Sequence, residues 1–313
     1  MICLETSSNI PAFNLAVEEV LLRKSDKEYF LVYINSPSVI VGKNQIANKE
    51  ADSVFMASQD IPLFRRMTGG GTVFHDPGNI NYVFIFNNAR KRQLNFKKHT
   101  DIIIDFLYSI GVNASIGGKN DIRVDGLKIS GNAEFVYRNR VIRHGTLLFD
   151  TDTDLLKNCI RTDQSNYITR TVASNPAEVV NIKSLISDQT DAILFKKKLL
   201  DFITGRDGNE QTALPEEYIN ESVTLAESKY RTWDWNFGAG PAYKTGKVFF
   251  FNGKRAKCFL TVNKGTIVEC SLTGLDEGER ISELLVGVKH YYPDILKLFE
   301  QENKYQGLAD NLF

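Results

Sequence analysis

The sequence predicts an α+β fold in two parts, a mixed β-sheet domain flanked by helices over residues 1–240 and a small α/β domain over residues 241–313. Three observations support this prediction. An amphipathic helix precedes several short β-branched runs near the N-terminus, and residues 121–150 have the alternation of successive β-hairpins. A segment of strands followed by helices comes after Gly238–Pro241, whose glycines and proline are typical of a linker.

Composition narrows the class of protein before any motif is considered. The chain has 313 residues, 42% of them hydrophobic, which is enough for a sizeable core and argues against disorder. Basic and acidic residues are equal at 38 each, so no overall charge favours nucleic acid or an anionic membrane. The four cysteines lack Cys-x-x-Cys spacing, and we find neither a signal peptide nor an apolar run of about 20 residues. We therefore expect a soluble, cytoplasmic protein with reduced thiols.

Hydrophobic periodicity predicts the N-terminal elements. Residues 11–24 have the pattern of an amphipathic helix in which Glu18 and Glu19 fall largely away from the apolar face. Asn48 is a predicted N-cap for a short helix that ends near residue 58. Apolar and β-branched runs predict strands at residues 30–34, 39–41, 63–66, 73–74 and 82–86.

The middle of the chain combines a charged run, a helix and hairpins. Residues 89–99 carry five basic side chains, which form either a solvated face or a docking patch for an acidic partner. Thr100 is the predicted cap of an apolar helix over residues 102–110. The dipeptide Asp125-Gly126 is a hairpin signal. Strands are predicted at residues 128–136 and 141–149, and a short helix at 152–160.

The last third predicts a loop, two helices and then the C-terminal domain. Residues 161–190 are polar and irregular, as expected of a loop over a site. Helices are predicted at residues 191–204 and 215–229. The C-terminal domain has predicted strands at 247–251, 257–262 and 266–273, with Asn252-Gly253 as a hairpin turn, and closing helices over 281–312.

The most unusual stretch is residues 65–79, Arg-Arg-Met-Thr-Gly-Gly-Gly-Thr-Val-Phe-His-Asp-Pro-Gly-Asn. Three consecutive glycines form helices and strands poorly, because each loses much backbone entropy on ordering. Such backbone can approach an anion and cradle it with N–H groups, while guanidinium groups add charge-assisted hydrogen bonds. A mobile surface loop with solvated arginines is the alternative. The spacing lacks the Gly-Lys-Ser/Thr of a P-loop, so a Walker-type nucleotide site is not supported.

This stretch resembles the signature of the lipoate–protein ligase A family, within the biotin/lipoate ligase superfamily. Further segments resemble that family in the same order along most of the chain, at residues 13–19, 118–121, 128–131, 144–148 and 233–241. The resemblance implies a biotin/lipoate-ligase-like catalytic domain with a mixed β-sheet, followed by an accessory C-terminal domain.

The resemblance also implies a two-step reaction. ATP and lipoate first give lipoyl-adenylate and pyrophosphate, and the lipoyl group then passes to a lysine of a carrier domain, in an E2 subunit of a 2-oxoacid dehydrogenase or in the glycine cleavage H protein. By resemblance, Lys128 is the catalytic residue that bonds both the adenylate phosphate and the lipoyl carbonyl, and Arg66 binds the same acyl-adenylate. Fixed cations and N–H donors can perform such chemistry without a side-chain nucleophile. The nucleotide and acyl chain would be lined by Gly70, Gly71, Thr72, Val73, Phe74 and His75.

Other candidates in the motifs have weaker support. Side chains alternate along a strand, so Arg65 is expected to point to the face opposite that of Arg66. His75 could bond a phosphate or simply hold the turn that follows it, and Asn79 could orient that turn. Ser130 belongs to the lysine motif.

Asp121 is the candidate for Mg²⁺, because a carboxylate shared with ATP oxygens is a common way to bind this ion. An ordinary surface aspartate in a turn is the alternative. His144 is expected to be a hydrogen-bonding residue at a strand end. One departure from the family pattern occurs at Glu178, where arginine is common, so no function is assigned to that side chain.

Two other functions remain open from the sequence. An octanoyl or lipoyl transferase of the same superfamily would need an accessible cysteine thiolate, and only Cys159 lies in a suitable part of the chain. Its predicted amphipathic helix would bury it. A catalytically silent protein that binds acyl-adenylate or the carrier is the second alternative. Nucleic-acid binding lacks a recognised motif.

Overall fold

The computed structural model describes residues 1–87, 92–118, 121–161, 163–169, 171, 177–187, 189–302, 305 and 307–313, without the side chains of 92–96. The strands are β1 (Ile2–Glu5), β2 (Tyr29–Ile34), β3 (Ser38–Val41), β4 (Leu63–Arg65), β5 (Val73–His75), β6 (Asn79–Asn87), β7 (Ser115–Gly117), β8 (Asp121–Val124), β9 (Leu127–Tyr137), β10 (Arg140–Leu148), β11 (Tyr167–Ile168), β12 (Glu210–Gln211), β13 (Tyr243–Phe251), β14 (Lys254–Asn263) and β15 (Thr266–Thr273). The helices are α1 (Pro11–Lys24), α2 (Ala47–Glu50), α3 (Ser53–Ser58), α4 (Arg92–Ser109), α5 (Thr153–Cys159), α6 (Ala192–Thr204), α7 (Glu216–Leu225), α8 (Gly278–Leu285) and α9 (Tyr292–Glu302).

An eight-stranded mixed sheet organises the larger part of the protein. Its strand order is β12-β1-β2-β6-β10-β9-β8-β7, with β1 parallel to β2 and β12 and the other neighbours antiparallel. Alternate residues of β6 face opposite layers, as the period of a strand requires. Phe84 lies in the core formed with α4 and α6, whereas Val83 and Ile85 pack with residues of α1. The predicted α+β fold with a mixed sheet is therefore confirmed.

A small three-stranded sheet holds the glycine-rich stretch beside the main sheet. Its order is β4-β3-β5, with β3 parallel to β4 and antiparallel to β5. The chain leaves β4 at Arg65, forms the Arg66–Thr72 loop, and returns as β5. Both ends of that loop are thus fixed by hydrogen bonds to the same central strand, β3.

The C-terminal strands form a separate four-stranded sheet with the order β11-β13-β14-β15. One face of this sheet packs against α8 and α9 in a core that is distinct from the main sheet. Asn252 and Gly253 have φ values of 50° and 76°, as the predicted hairpin turn requires. Strand β11 comes from the 161–190 segment, so this sheet also uses chain from the larger part of the protein. The boundary at residues 240/241 stays a prediction.

Several predicted elements have the expected bounds, and two predicted caps are wrong. Helix α1 coincides with its predicted range. Asn48 lies inside α2, and Asp52 instead caps α3 by accepting from the Val54 and Phe55 amides. Thr100 lies in the middle of α4, which begins eight residues earlier. None of the helices in the described part of the chain is both long and apolar enough to cross a bilayer.

Helix α1 is more enclosed than its periodicity suggests. Glu18 and Glu19, which fall largely away from the apolar face, are both buried. Helix α7 packs against α1, and Glu19 accepts hydrogen bonds from Lys229 and Tyr230 in the short π-helical segment that follows α7. The segment that buries this side of α1 is about 200 residues away in the sequence. The residue pattern of α1 alone therefore could not predict that Glu19 is buried.

Candidate active site

Arg66 is the centre of the glycine-rich loop. Its Nη2 donates to the carbonyls of Gly69 and Gly71 at 2.6 and 2.7 Å, and its Nη1 donates to the carbonyl of Ile40 at 3.1 Å. The guanidinium is buried, which lowers the pKa of Arg66 to about 10 and leaves it protonated at neutral pH. The loop is therefore wrapped around a buried positive charge, and its carbonyls are turned towards that charge.

Glycine is required where the loop approaches its neighbours. Gly70 has a φ of +89°, a conformation that disfavours other residues. A Cβ on Gly42, at the end of β3, would lie 2.2 Å from the Gly70 carbonyl oxygen. Gly69, in contrast, has open space where a Cβ would be. The loop conformation thus requires glycine at positions 42 and 70, whereas position 69 has room for a side chain.

Arg65 points the other way, as alternation predicts. Its guanidinium donates to the carbonyls of Gly42, Gln45 and Asn236 at 2.7 to 2.9 Å, and it is fully buried. The Trp235 indole nitrogen donates back to the Arg65 carbonyl at 2.7 Å. These bonds join the small sheet to the segment that leads into the C-terminal strands. Arg65 does not line the cavity described next.

A cavity of about 1510 Å³ opens beside the loop. One wall is the loop itself with β5, a second is formed by the β8–β9 hairpin, and a third comes from the C-terminal sheet. Of the residues predicted to line a ligand site, those on the cavity wall are Arg66, Gly70, Gly71, Thr72, Val73, His75, Asp121 and Lys128. Phe74, Asn79 and Ser130 are buried behind the wall.

Lys128 and Asp121 form an ion pair on the hairpin wall. The Lys128 Nζ lies 3.0 Å from Asp121 Oδ1, and Arg123 Nη2 lies 3.1 Å from Asp121 Oδ2. Both side chains are only partly exposed. One carboxylate therefore holds two cations at the wall, and it fixes the position of the Lys128 ammonium. In the described part of the chain, no cluster of three or more His, Cys, Asp or Glu side chains is placed to hold a metal ion.

The segment that carries the departure at Glu178 lies directly beside Lys128. The Lys128 amide donates to the Glu178 carbonyl at 2.9 Å, and the Val180 amide donates to the Lys128 carbonyl at 3.1 Å. The backbone of Glu178 thus supports the lysine strand without any role for its side chain. The predicted 161–190 loop is only partly within the described residues, as are the 89–99 charged run and the 118–121 motif.

His75 is a buried, neutral imidazole. Desolvation lowers its pKa to about 3, and the charges of Arg66 and His144 act in the same direction. Its Nδ1 lies 3.0 Å from the Asn35 amide nitrogen. Because that nitrogen only donates, the ring accepts at Nδ1 and carries its proton at Nε2. His75 therefore offers the cavity one neutral N–H donor.

A buried hydrogen-bond network connects the loop to α1. Thr68 Oγ1 accepts from Arg66 Nε at 2.9 Å and lies 2.7 Å from His144 Nε2. His144 Nδ1 donates to Glu18 Oε2 at 2.9 Å, and the Tyr33 hydroxyl donates to Glu18 Oε1 at 2.7 Å. His144 is thus a hydrogen-bonding residue, as predicted, but it lies in the middle of β10 and not at the predicted strand end. No sequence pattern singled out Glu18, Tyr33 or Asn35 for this network; the available signal was the pair of charged residues Glu18 and Glu19 within α1.

The apolar and C-terminal walls contain further residues that the sequence did not single out. Leu15, Ile40 and Val73 provide apolar surface at one end of the cavity. Lys244 and Thr261 of the C-terminal sheet complete the opposite wall. The cavity as a whole offers an apolar slot, a glycine-rich loop and several cations. That combination suits an acyl group joined to a phosphate-bearing nucleotide.

Comparisons with known proteins define the family. Residues 10–204 match the lipoyl protein ligase A/B catalytic domain. The chain belongs to this family of enzymes, which confirms the resemblance predicted from the sequence. Lipoate–protein ligase 1 of Staphylococcus aureus is 34% identical over 306 residues, which cover 96% of this chain and 93% of that protein.

Solved structures agree with the fold. A putative lipoate protein ligase from T. acidophilum with bound lipoic acid is 25% identical with a TM-score of 0.64, and it covers 76% of this chain and 98% of its own. P. falciparum LipL1 in complex with lipoate has a TM-score of 0.65 at 22% identity and covers 99% of this chain and 97% of its own. The latter likeness extends the shared fold through the C-terminal strands and helices.

Proposed function

We propose that this protein is a lipoate–protein ligase, which activates lipoate with ATP and transfers the lipoyl group to a lysine of a carrier domain. One observation carries the proposal: a single cavity brings together the Arg66 loop, the Lys128 ammonium and an apolar slot. These three parts match the phosphate, the reacting carbonyl and the acyl chain of a lipoyl-adenylate. Family membership and the lipoate-bound relative support the same substrate.

In the first step, a carboxylate oxygen of lipoate attacks the α-phosphate of ATP. The new bond is O–P, the bond between the α- and β-phosphates breaks, and pyrophosphate leaves. Negative charge grows on the phosphate oxygens, and Lys128 and Arg66 stabilise it from two walls of the cavity. The neutral His75 N–H can donate to the same group without repelling the arginine.

In the second step, the neutral amine of the carrier lysine attacks the acyl carbonyl. A C–N bond forms, the C–O bond to the phosphate breaks, the attacking nitrogen gives up one proton to solvent, and AMP leaves with its charge paired to Lys128. The proposal requires no protein nucleophile, and the burial of Cys159 is consistent with that. The acceptors are lipoyl domains of E2 subunits or the glycine cleavage H protein. We place the reaction in the cytoplasm, where the four free cysteines would stay reduced.

Asp121 is the residue that would hold a magnesium ion. A single carboxylate on the cavity wall fits an ion that arrives with ATP, since Mg²⁺ usually keeps several waters and takes one or two carboxylates plus phosphate oxygens. When bound, the ion would neutralise the leaving pyrophosphate. Asp121 also forms an ion pair with Lys128, so its carboxylate would contact both the Lys128 ammonium and the magnesium ion.

The role of Asp121 is testable with a substitution of the same shape. Asp121→Asn should raise the magnesium concentration that gives half-maximal ATP–pyrophosphate exchange by about tenfold, because a neutral amide is a poor ligand for Mg²⁺. The exchange rate at saturating magnesium separates this effect from misplacement of Lys128. An unchanged magnesium dependence together with a reduced saturating rate would assign Asp121 to positioning alone.

The central test is lipoate-dependent exchange between pyrophosphate and ATP in the absence of a carrier. The wild type should exchange, and Lys128→Ala should lower the rate at least 100-fold, consistent with loss of an electrostatic contact of about 3 kcal/mol. Lys197→Ala, on the exposed surface of α6, is the matched control and should exchange normally. A wild type that fails to exchange but transfers octanoyl groups in a Cys159-dependent reaction would support the transferase instead.

A further inference from the structure

One face of the four-stranded C-terminal sheet is not covered by any element in the described part of the chain, and we call it the outer face. It carries Val248, Phe250 and Phe259, with the basic residues Lys244, Arg255 and Lys257 around them. Strands β13 and β14 alternate regularly, so the residues between these positions point into the core with α8 and α9. The outer face is therefore a continuous surface of alternate residues from neighbouring strands.

This face is more apolar than a solvent-facing sheet surface requires. Phe250 is 71% exposed, Phe259 is 55% exposed and Val248 is 51% exposed. A sheet with one buried face usually places polar residues on the other, and clustered exposed aromatics mark interaction sites. The Phe259 ring lies over Gly246, where a Cβ would be 2.6 Å from the ring. The Phe259 ring therefore packs against the neighbouring strand β13 at Gly246.

The outer face runs directly into the cavity. Lys244 and Thr261 are paired across β13 and β14, and both line the cavity wall. Phe259 is the next residue on the same face of β14, about 7 Å further from the cavity along the strand. A protein seated on this face would therefore reach the cavity mouth.

The charges of the outer face select the kind of partner. Three basic side chains surround the apolar residues, although the chain as a whole has equal numbers of acidic and basic residues. Glu269, the acidic residue across from Thr261, is bonded to the Thr261 hydroxyl at 2.7 Å. Two copies of this face placed against each other would bring like charges together, which disfavours self-association. An acidic partner is complementary.

We propose that the outer face is the docking surface for the carrier domain, and that the carrier presents acidic residues beside its acceptor lysine. This inference rests on the proposed ligase function and identifies where the second substrate binds. The acceptor lysine must enter the cavity while its domain stays outside, so the carrier has to sit at the mouth. The outer face is the apolar and basic surface that adjoins that mouth.

The experiment compares two half-reactions in matched variants. Phe250→Ser and Lys257→Glu change the outer face, and Tyr108→Ser removes an aromatic of similar exposure, 73%, from the distant helix α4. All three should retain wild-type ATP–pyrophosphate exchange, since none touches the cavity. The KM for an unlipoylated E2 lipoyl domain should rise about tenfold in the first two variants and stay unchanged in the third.

Charge and alternative occupants are tested with the same proteins. Lys257→Arg keeps the positive charge, so its KM for the lipoyl domain should equal that of the wild type, in contrast to Lys257→Glu. The KM of the wild type should rise with salt concentration. Normal transfer by both outer-face variants would overturn the proposal while leaving the ligase function intact, because exchange would persist. The docking proposal would also be overturned if sedimentation showed a dimer that Phe250→Ser converts to a monomer while transfer stays normal. A wild type without exchange would instead contradict the ligase function.

Discussion

Arg65 and Arg66 are adjacent in sequence and have different tasks at the residue scale. Both guanidinium groups are buried, and burial lowers the pKa of each to about 10. Arg65 donates hydrogen bonds to backbone carbonyls from two separate parts of the chain and so joins them. Arg66 donates instead to carbonyls of the glycine loop at the cavity wall. Arg66 directly follows the last residue of β4 and its amide still bonds the Val41 carbonyl of β3, so the two side chains leave the extended chain on opposite sides. The ligand-binding role of Arg65 stays a prediction, and Arg66 is the stronger candidate.

Cys159 provides a direct test at the same scale. Its thiol is fully buried, and burial together with Asp52 and Asp152 raises its pKa to about 12. Cys159→Ala should therefore leave both exchange and transfer within about twofold of the wild type, because the thiol is neither ionised nor accessible. Rates measured at pH 7 and pH 9 check this expectation. Loss of transfer with intact folding would revive an acyl-cysteine mechanism.

At the scale of elements, the glycine loop depends on its contact with the end of β3. Gly42→Ala would place a Cβ against the Gly70 carbonyl and push the loop out of position. We expect the KM for ATP to rise about tenfold or more, equivalent to about 1.4 kcal/mol of lost binding energy. Gly69→Ala has room for its Cβ and serves as the control. Equal KM values for the two variants would show that the loop does not contact the nucleotide.

At the scale of the whole molecule, buried histidines couple stability to pH. Desolvation lowers the pKa of His75 and His99 to about 3 and that of His290 to about 4, from 6.5. The unfolded chain therefore binds protons that the folded protein does not as pH falls below about 6.5. The free energy of unfolding should be highest above that pH and should decline until the pH approaches 3 to 4.

The decline can be measured by urea unfolding at pH 7.5 and 5.5. Each of these histidines should contribute a loss of about 1.4 kcal/mol over this interval. His99 stacks on Phe84 with ring centroids 4.5 Å apart, so His99→Phe can keep the packing and remove one titrating group. The pH-dependent loss should be smaller in the variant by about that amount. An identical loss in both proteins would contradict the assignment.

Local chemistry determined much of this protein from the sequence alone. Strand alternation, the Asp125-Gly126 and Asn252-Gly253 turns and the bounds of α1 all depend on neighbouring residues, so they were predictable. The glycine-rich stretch was unusual in its own local composition, whereas Lys128 was singled out only through the resemblance of its motif to the lipoate–protein ligase A family. Helix starts at Asn48 and Thr100 were predicted wrongly, because good capping residues also occur within helices when tertiary packing extends them.

Only the tertiary structure decided which distant residues share the cavity. Glu18 meets His144 across 126 residues, and Lys128 pairs with the Glu178 backbone across a gap that no local pattern encodes. Lys244 of the C-terminal sheet also lines the cavity, and it pairs with Ile168, which comes from the larger part of the chain. Burial, charge pairing and pKa values depend on everything packed around a group. Sequence periodicity identifies the apolar face of a helix or strand. It does not show which distant segment packs against the opposite face, because that depends on the tertiary structure.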